Sequence, residues 1–132
     1  LWWEYHSGMA VKISGIDHLV INVADTERAM CWYRDRLGFQ PERYEEWKSG
    51  DAPFLSMRVN DSTVIDLLET ARSGENVDHI SFLVDGSFAE TLSYDDVEVV
   101  REFESVYGAL GWGPAVYIRD LDGNVIELKR YN

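Results

Sequence analysis

The chain has 132 residues, 45% of them apolar and 27% charged, with 24 acidic against 12 basic side chains and a net charge of −12. That length makes one domain, able to bury roughly two-thirds of its unfolded surface, and the composition excludes a disordered chain. An acidic surface repels phosphate backbones and anionic membranes, so nucleic acid is not an expected partner, and no apolar run approaches the roughly 20 residues that span a bilayer.

Residues 1–8 (LWWEYHSG) read as upstream or vector-derived sequence ahead of Met9, and His6 stays outside the functional reading. The N-terminus carries no basic region followed by an apolar core, so no secretory leader is expected. A single cysteine, Cys31, cannot close an internal disulfide, which fits a reducing compartment and a cytoplasmic location.

Residues 16–23 are β-branched and alternating, which predicts a strand. Asp25 stands as an N-cap before a helix over Thr26–Leu37, with Met30, Tyr33 and Leu37 on one face and Gly38 at the left-handed C-cap. Phe39–Trp47, Phe54–Val59 and Thr63–Glu69 read as three further strands. The order then returns: a strand at 77–84, a short helix near Ser87–Tyr94, and strands near 97–103, 115–119 and 124–130, the last two joined by an Asp122-Gly123 turn.

This return is an internal repeat. A shift of 61 positions lays Ile16-Asp17-His18-Leu19 over Val77-Asp78-His79-Ile80, Arg58 over Arg119, and Val64-Ile65-Asp66-Leu67 over Val125-Ile126-Glu127-Leu128. Residues 9–132 therefore form a single domain of α+β class, with module one over about 14–70 and module two over about 75–131, each β-α-β-β-β. A half of about 60 residues is marginal alone, so the two sheets should share one core.

Strand parity separates the faces. Leu19, Ile21, Val23, Ile65 and Leu67, with Ile80, Phe82, Val84, Ile126 and Leu128, belong to the apolar faces. His18, Asp66, His79 and Glu127 project from the opposite ones, so each repeat supplies an imidazole and a carboxylate, and pseudo-twofold packing would bring all four to a central point. Two imidazoles with one or two carboxylates make a site for one divalent ion, Ni, Co, Zn, Mn or Fe(II), with water in the open positions. Asp17 and Asp78 precede the histidines on the other face and read as strand-edge acids, and Glu69 has the wrong parity for the site. Trp47, Phe103, Tyr107 and Trp112 are candidates for pocket walls or for core packing.

IDHLVINVADTERAMCWYRDRLGF, VDHISFLV and YIRDLDGNVIELKRY resemble, in that order, the opening, the second-module start and the closing hairpin of the glyoxalase/bleomycin-resistance/dioxygenase (vicinal oxygen chelate) superfamily, over Ser14 to Tyr131. The resemblance implies paired modules forming an open, barrel-like mixed sheet around the metal, and a homodimer. It also implies Glu127 as a metal carboxylate, with Asp66 where glyoxalase I carries a glutamate ligand. The reaction it implies is a glyoxalase I-like lyase or isomerase acting on a small oxygen-chelating substrate, with Glu127 or Asp66 as general base. An Fe(II)-dependent dioxygenase and a non-catalytic small-molecule binding or resistance protein stand as alternatives. The bleomycin-binding relatives lack this ligand set, and the extradiol dioxygenases use a further active-site histidine. Glutathione-using relatives place an arginine four residues after the first metal histidine and an asparagine four after the first metal carboxylate. This chain has Asn22 and Thr70 there, which predicts poor use of glutathione conjugates.

Overall fold

The computed structural model describes residues 16, 18–71, 74, 77, 79–108 and 110–131. Residues 1–15, with Asp17 and Asp78, lie outside that set. The elements run in chain order as β1 (His18–Val23), α1 (Thr26–Leu37), β2 (Gln40–Glu42), α2 (Tyr44–Ser49), β3 (Leu55–Arg58) and β4 (Val64–Glu69), followed by β5 (Ile80–Leu83), α3 (Ala89–Leu92), β6 (Glu98–Gly108), β7 (Gly111–Arg119) and β8 (Val125–Lys129).

Helix α1 begins where the sequence places it. The Asp25 carboxylate accepts the Arg28 N–H at 3.0 Å, Glu69 accepts the Thr26 N–H at 2.9 Å, and Gly38 closes the helix at φ 76°. Glu69, off the site by parity, is thus a second cap for the helix.

Each module folds into a four-stranded mixed sheet, β1-β4-β3-β2 and β5-β8-β7-β6. In both, the first pair is parallel and the rest antiparallel, and no strand pairing joins the two sheets among the described residues. The architecture is α+β, two unclosed sheets in tandem.

The apolar faces meet in one shared core. Val23, Leu55, Met57, Ile65 and Leu67 of module one belong to the same cluster as Val116, Ile118 and Ile126 of module two, and Phe39 packs edge-on against Phe82 at 5.2 Å between ring centroids. Helix α1 fastens the modules with polar contacts. Trp32 Nε1 donates to the Asp96 carbonyl at 2.8 Å, Tyr33 donates its hydroxyl to Asp120 at 2.7 Å, and Arg36 grips the Asp96 carboxylate through two nitrogens.

Three predicted strands need correction. The run Phe39–Trp47 yields only the three residues of β2, and Tyr44–Ser49 forms a short helix instead. Arg43 at φ 62° breaks the strand, the tilted rings of Tyr44 and Trp47 meet one turn apart at 5.8 Å between centroids, and Gly50 at φ 88° ends the helix. Trp47 packs on the core from this helix, not on a pocket. In module two, β6 and β7 run far past the predicted 97–103 and 115–119, reaching Gly108 and Gly111. Register shifts at Val99/Arg101 and Phe103/Val106 break the period-2 pattern that would have revealed the longer strand.

Candidate metal centre

The closing strand β8 lies between β5 and β7, so Glu127 has Ser81 on one side and Tyr117 on the other. His79 stands two residues before Ser81 on the same face, which aims its ring along the diagonal toward Glu127. His79 Nε2 and Glu127 Oε1 lie 3.1 Å apart, the carboxylate side chain 7% exposed and the imidazole 32%. Tyr117 holds the imidazole from the side, its ring 5.1 Å from that of His79 and 5.6 Å from Phe103. A cleft of about 350 Å³ opens here, lined by His79, Ser81, Leu83, Tyr107, Leu110, Glu127, Lys129 and Tyr131. Tyr107 therefore walls the cleft, and Trp112 stacks edge-on against it at 5.5 Å.

Module one repeats the diagonal. Asp66 lies between Val20 and Ser56, and His18 stands two residues before Val20. Asp66 is buried, and the Ser56 hydroxyl donates to its Oδ1 at 2.6 Å; His18 is exposed. Ser56 carries no motif, and only the β3–β4 register shows it beside the carboxylate.

Within one chain the structure brings together two of the four predicted ligands. His79 and Glu127 come together; His18 and Asp66 do not join them, and among the described residues no three His, Cys, Asp or Glu side chains gather to hold a metal ion. The apolar faces of both sheets contribute instead to one core cluster, which also holds Ala29, Met30, Trp32 and Tyr33 of α1.

The arginines that might grip a substrate carboxylate are largely engaged. Arg58 pairs with Glu42 through two nitrogens at 2.9 and 3.0 Å, and Arg119 with Glu98 at 2.9 Å. Arg101 lies over the Phe103 ring at 4.4 Å. Lys129, two residues beyond Glu127 on the same face, escaped the sequence reading although its parity was legible.

The model of the Glyoxalase/Bleomycin resistance protein/Dioxygenase superfamily matches residues 15–128, and the chain belongs to that superfamily. It is similar to virulence protein STM3117 of Salmonella typhimurium, 24% identical over 136 residues that cover 99% of this chain and 94% of that one. Among solved structures, the Vibrio cholerae integron cassette protein VCH_CASS1 is 25% identical at a TM-score of 0.73, covering 94% of this chain and 100% of the other. A variant of the fosfomycin resistance protein FosX from Listeria monocytogenes, solved with Mn(II) and 1S,2S-dihydroxypropylphosphonic acid, shares the fold at a TM-score of 0.70, 21% identity and coverage of 92% and 95%.

Proposed function

We propose that the protein is a metal-dependent enzyme of glyoxalase I-like lyase or isomerase type, acting on a small oxygen-chelating metabolite. Its one divalent ion, Ni, Co or Zn with Mn or Fe as further options, is held by His79 and Glu127 of one chain and by His18 and Asp66 of a second copy. The observation that carries this reading is the approach of His79 Nε2 and Glu127 Oε1 to 3.1 Å at the floor of a cleft. Two donors that close reach one ion at about 2.0–2.2 Å each. The equivalent positions of His18 on β1 and Asp66 on β4 support a site completed by a twofold partner, since a two-donor site is short of the three protein ligands of catalytic centres. The exposed Tyr107 and Trp112, 70% and 69% accessible, and Leu110 beside them give that partner an apolar surface to cover. The FosX variant solved with Mn(II) supports a divalent ion in this fold.

When bound, such an ion supplies Lewis acidity toward two vicinal oxygens of the substrate. The chain's own groups do the rest. Glu127, nearly enclosed, stands where it can take the proton α to a carbonyl, and Ser56 holds Asp66 in one orientation through their 2.6 Å bond. Asp66 is one methylene shorter than glutamate, so it serves as a ligand directly or through a water.

The test is complementation. Protein purified without an affinity tag is analysed for metal by mass spectrometry and for mass by light scattering. His18→Ala and His79→Ala variants are then unfolded, mixed and refolded. Each variant alone should lack metal, and the mixture should recover about a quarter of the wild-type sites, because half the dimers are mixed and each has one intact site. A metal-free wild type, or a monomer at micromolar concentration, overturns the reading.

A further inference from the structure

Lys129 is the most buried cation on the cleft-bearing face, 3% exposed. Its ammonium donates to the carbonyls of Val106 and Gly113, the latter at 2.8 Å, and stands 5.2 Å from the centre of the Tyr131 ring. Among the described residues no carboxylate lies within ion-pair reach of it, while the acids of the same face are committed, Glu127 to His79 and Glu98 to Arg119. A buried charge without a counter-ion is costly and persists where something offsets it. Two carbonyl dipoles offset part of the cost, and an ammonium has three donors, so one remains for whatever fills the cleft that Lys129 borders.

Its neighbour is a donor too. The Tyr131 oxygen accepts the Leu110 N–H at 3.0 Å, which leaves its own hydroxyl proton to give. Across on β5 the partner of Lys129 is the apolar Leu83, while Ser81 stands opposite Glu127. This end of the cleft, in a protein of net charge −12, is built from a cation and a hydroxyl.

We infer that Lys129, with Tyr131, forms a subsite for an oxyanion group of the substrate, a phosphate or a carboxylate. Strand geometry sets the distance: side chains two residues apart on β8 are about 7 Å apart, so the ligand carries its anionic group about that far from the atoms held at Glu127. Lys129 is thus a specificity-determining residue. The placement of the substrate's other end rests on the proposed metal site; the subsite itself does not.

Inorganic phosphate and acetate are titrated by calorimetry into full-length protein in the presence of a chelator, with glycerol as an uncharged control. Binding of either anion without metal, and none of glycerol, is expected; the two anion arms tell a tetrahedral group from a planar one. Lys129→Met should weaken the anion about tenfold or more, the effect of losing one charge-assisted partner, and Lys129→Arg should restore most of it. Should Lys129→Met fail to fold, Tyr131→Phe decides, expected to weaken the anion about threefold. Anion affinity unchanged in the folded variants, or absent from the wild type, overturns the inference and leaves Lys129 as a pin for the β6–β7 hairpin. A metal-free wild type that still binds phosphate through Lys129 would sink only the metal reading.

Discussion

The two modules share one template yet use it differently. In module one the hairpin is short, β2 and β3 having three and four residues, and a helix turn follows β2. Its Asp66 is buried against Ser56, and its His18 stands exposed two residues before Val20 on β1. In module two the corresponding hairpin runs to 11 and 9 residues. Its tip carries Tyr107, Leu110 and Trp112 past the sheet and walls the cleft over His79 and Glu127. One copy of the repeat therefore shapes the cavity with its long hairpin. A duplicated unit keeps its donor positions because parity and register hold them, whereas hairpin length is free to change, since loops and strand ends tolerate insertion.

Mutation of the ligands gives the largest expected effect. His79→Ala or Glu127→Gln should cut metal affinity a hundredfold or more, about 2.7 kcal/mol. Asp66→Ala should cost about tenfold, since the shorter acid reaches less far. Calorimetric titration with Zn and Ni reads both. A larger loss from Asp66→Ala than from His79→Ala would reverse the ranking of the modules.

The substrate comparison comes next. With Asn22 on β1 and Thr70 after β4, and with Arg58 and Arg119 held by Glu42 and Glu98, the hemithioacetal of methylglyoxal and glutathione should be turned over with a kcat/KM below about 10⁴ M⁻¹s⁻¹. An assay of the Ni-, Co- and Zn-loaded protein above that value makes it a working glyoxalase I.

The long hairpin is also the place where a small change should be felt. A Cβ at Gly113 would run into the backbone carbonyl of Arg130, which cannot swing aside as a flexible side chain would. Gly113→Ala should destabilise by about 1–3 kcal/mol in denaturant titration, with lost anion binding alongside. A neutral result would mean that the hairpin moves freely over the cleft.

The smallest effect tests the seam between the modules. Burial first, and then the neighbouring Asp120 carboxylate, hold the Tyr33 phenol well above its ordinary value of 10.0. A raised folded value means that the contribution is complete below pH 10.0 and is lost as the pH climbs from there toward the folded value, because the unfolded phenol ionises first. Tyr33→Phe should cost about 1 kcal/mol at neutral pH and should lose less stability than wild type between pH 9 and 11. Parallel alkaline profiles for the two proteins would show that Tyr33 does not couple the modules.

Much of this was legible without coordinates. Asp25 and Gly38 bounded α1 because capping is local chemistry, and the 61-residue repeat assigned His18, Asp66, His79 and Glu127 to equivalent strand positions. The superfamily followed from the same motifs. The misread run at Tyr44–Ser49 is instructive. Its aromatics suit a strand, but the left-handed backbone at Arg43 breaks the run and Tyr44–Ser49 forms a helix.

Amino-acid order by itself determined the modules, their faces and the donor atoms each face offers, because period, caps and turns act within a few residues. Only the tertiary structure decided which donors meet. Parallel pairing of β5 with β8 brings His79 to Glu127, and His18 and Asp66 do not join them. Pairing of the long hairpin with β8 carries Val106 and Gly113 over Lys129, so that a lysine two residues past Glu127 becomes a buried cation at the end of a cleft. Both outcomes depend on contacts between segments far apart in the chain, which no local pattern encodes.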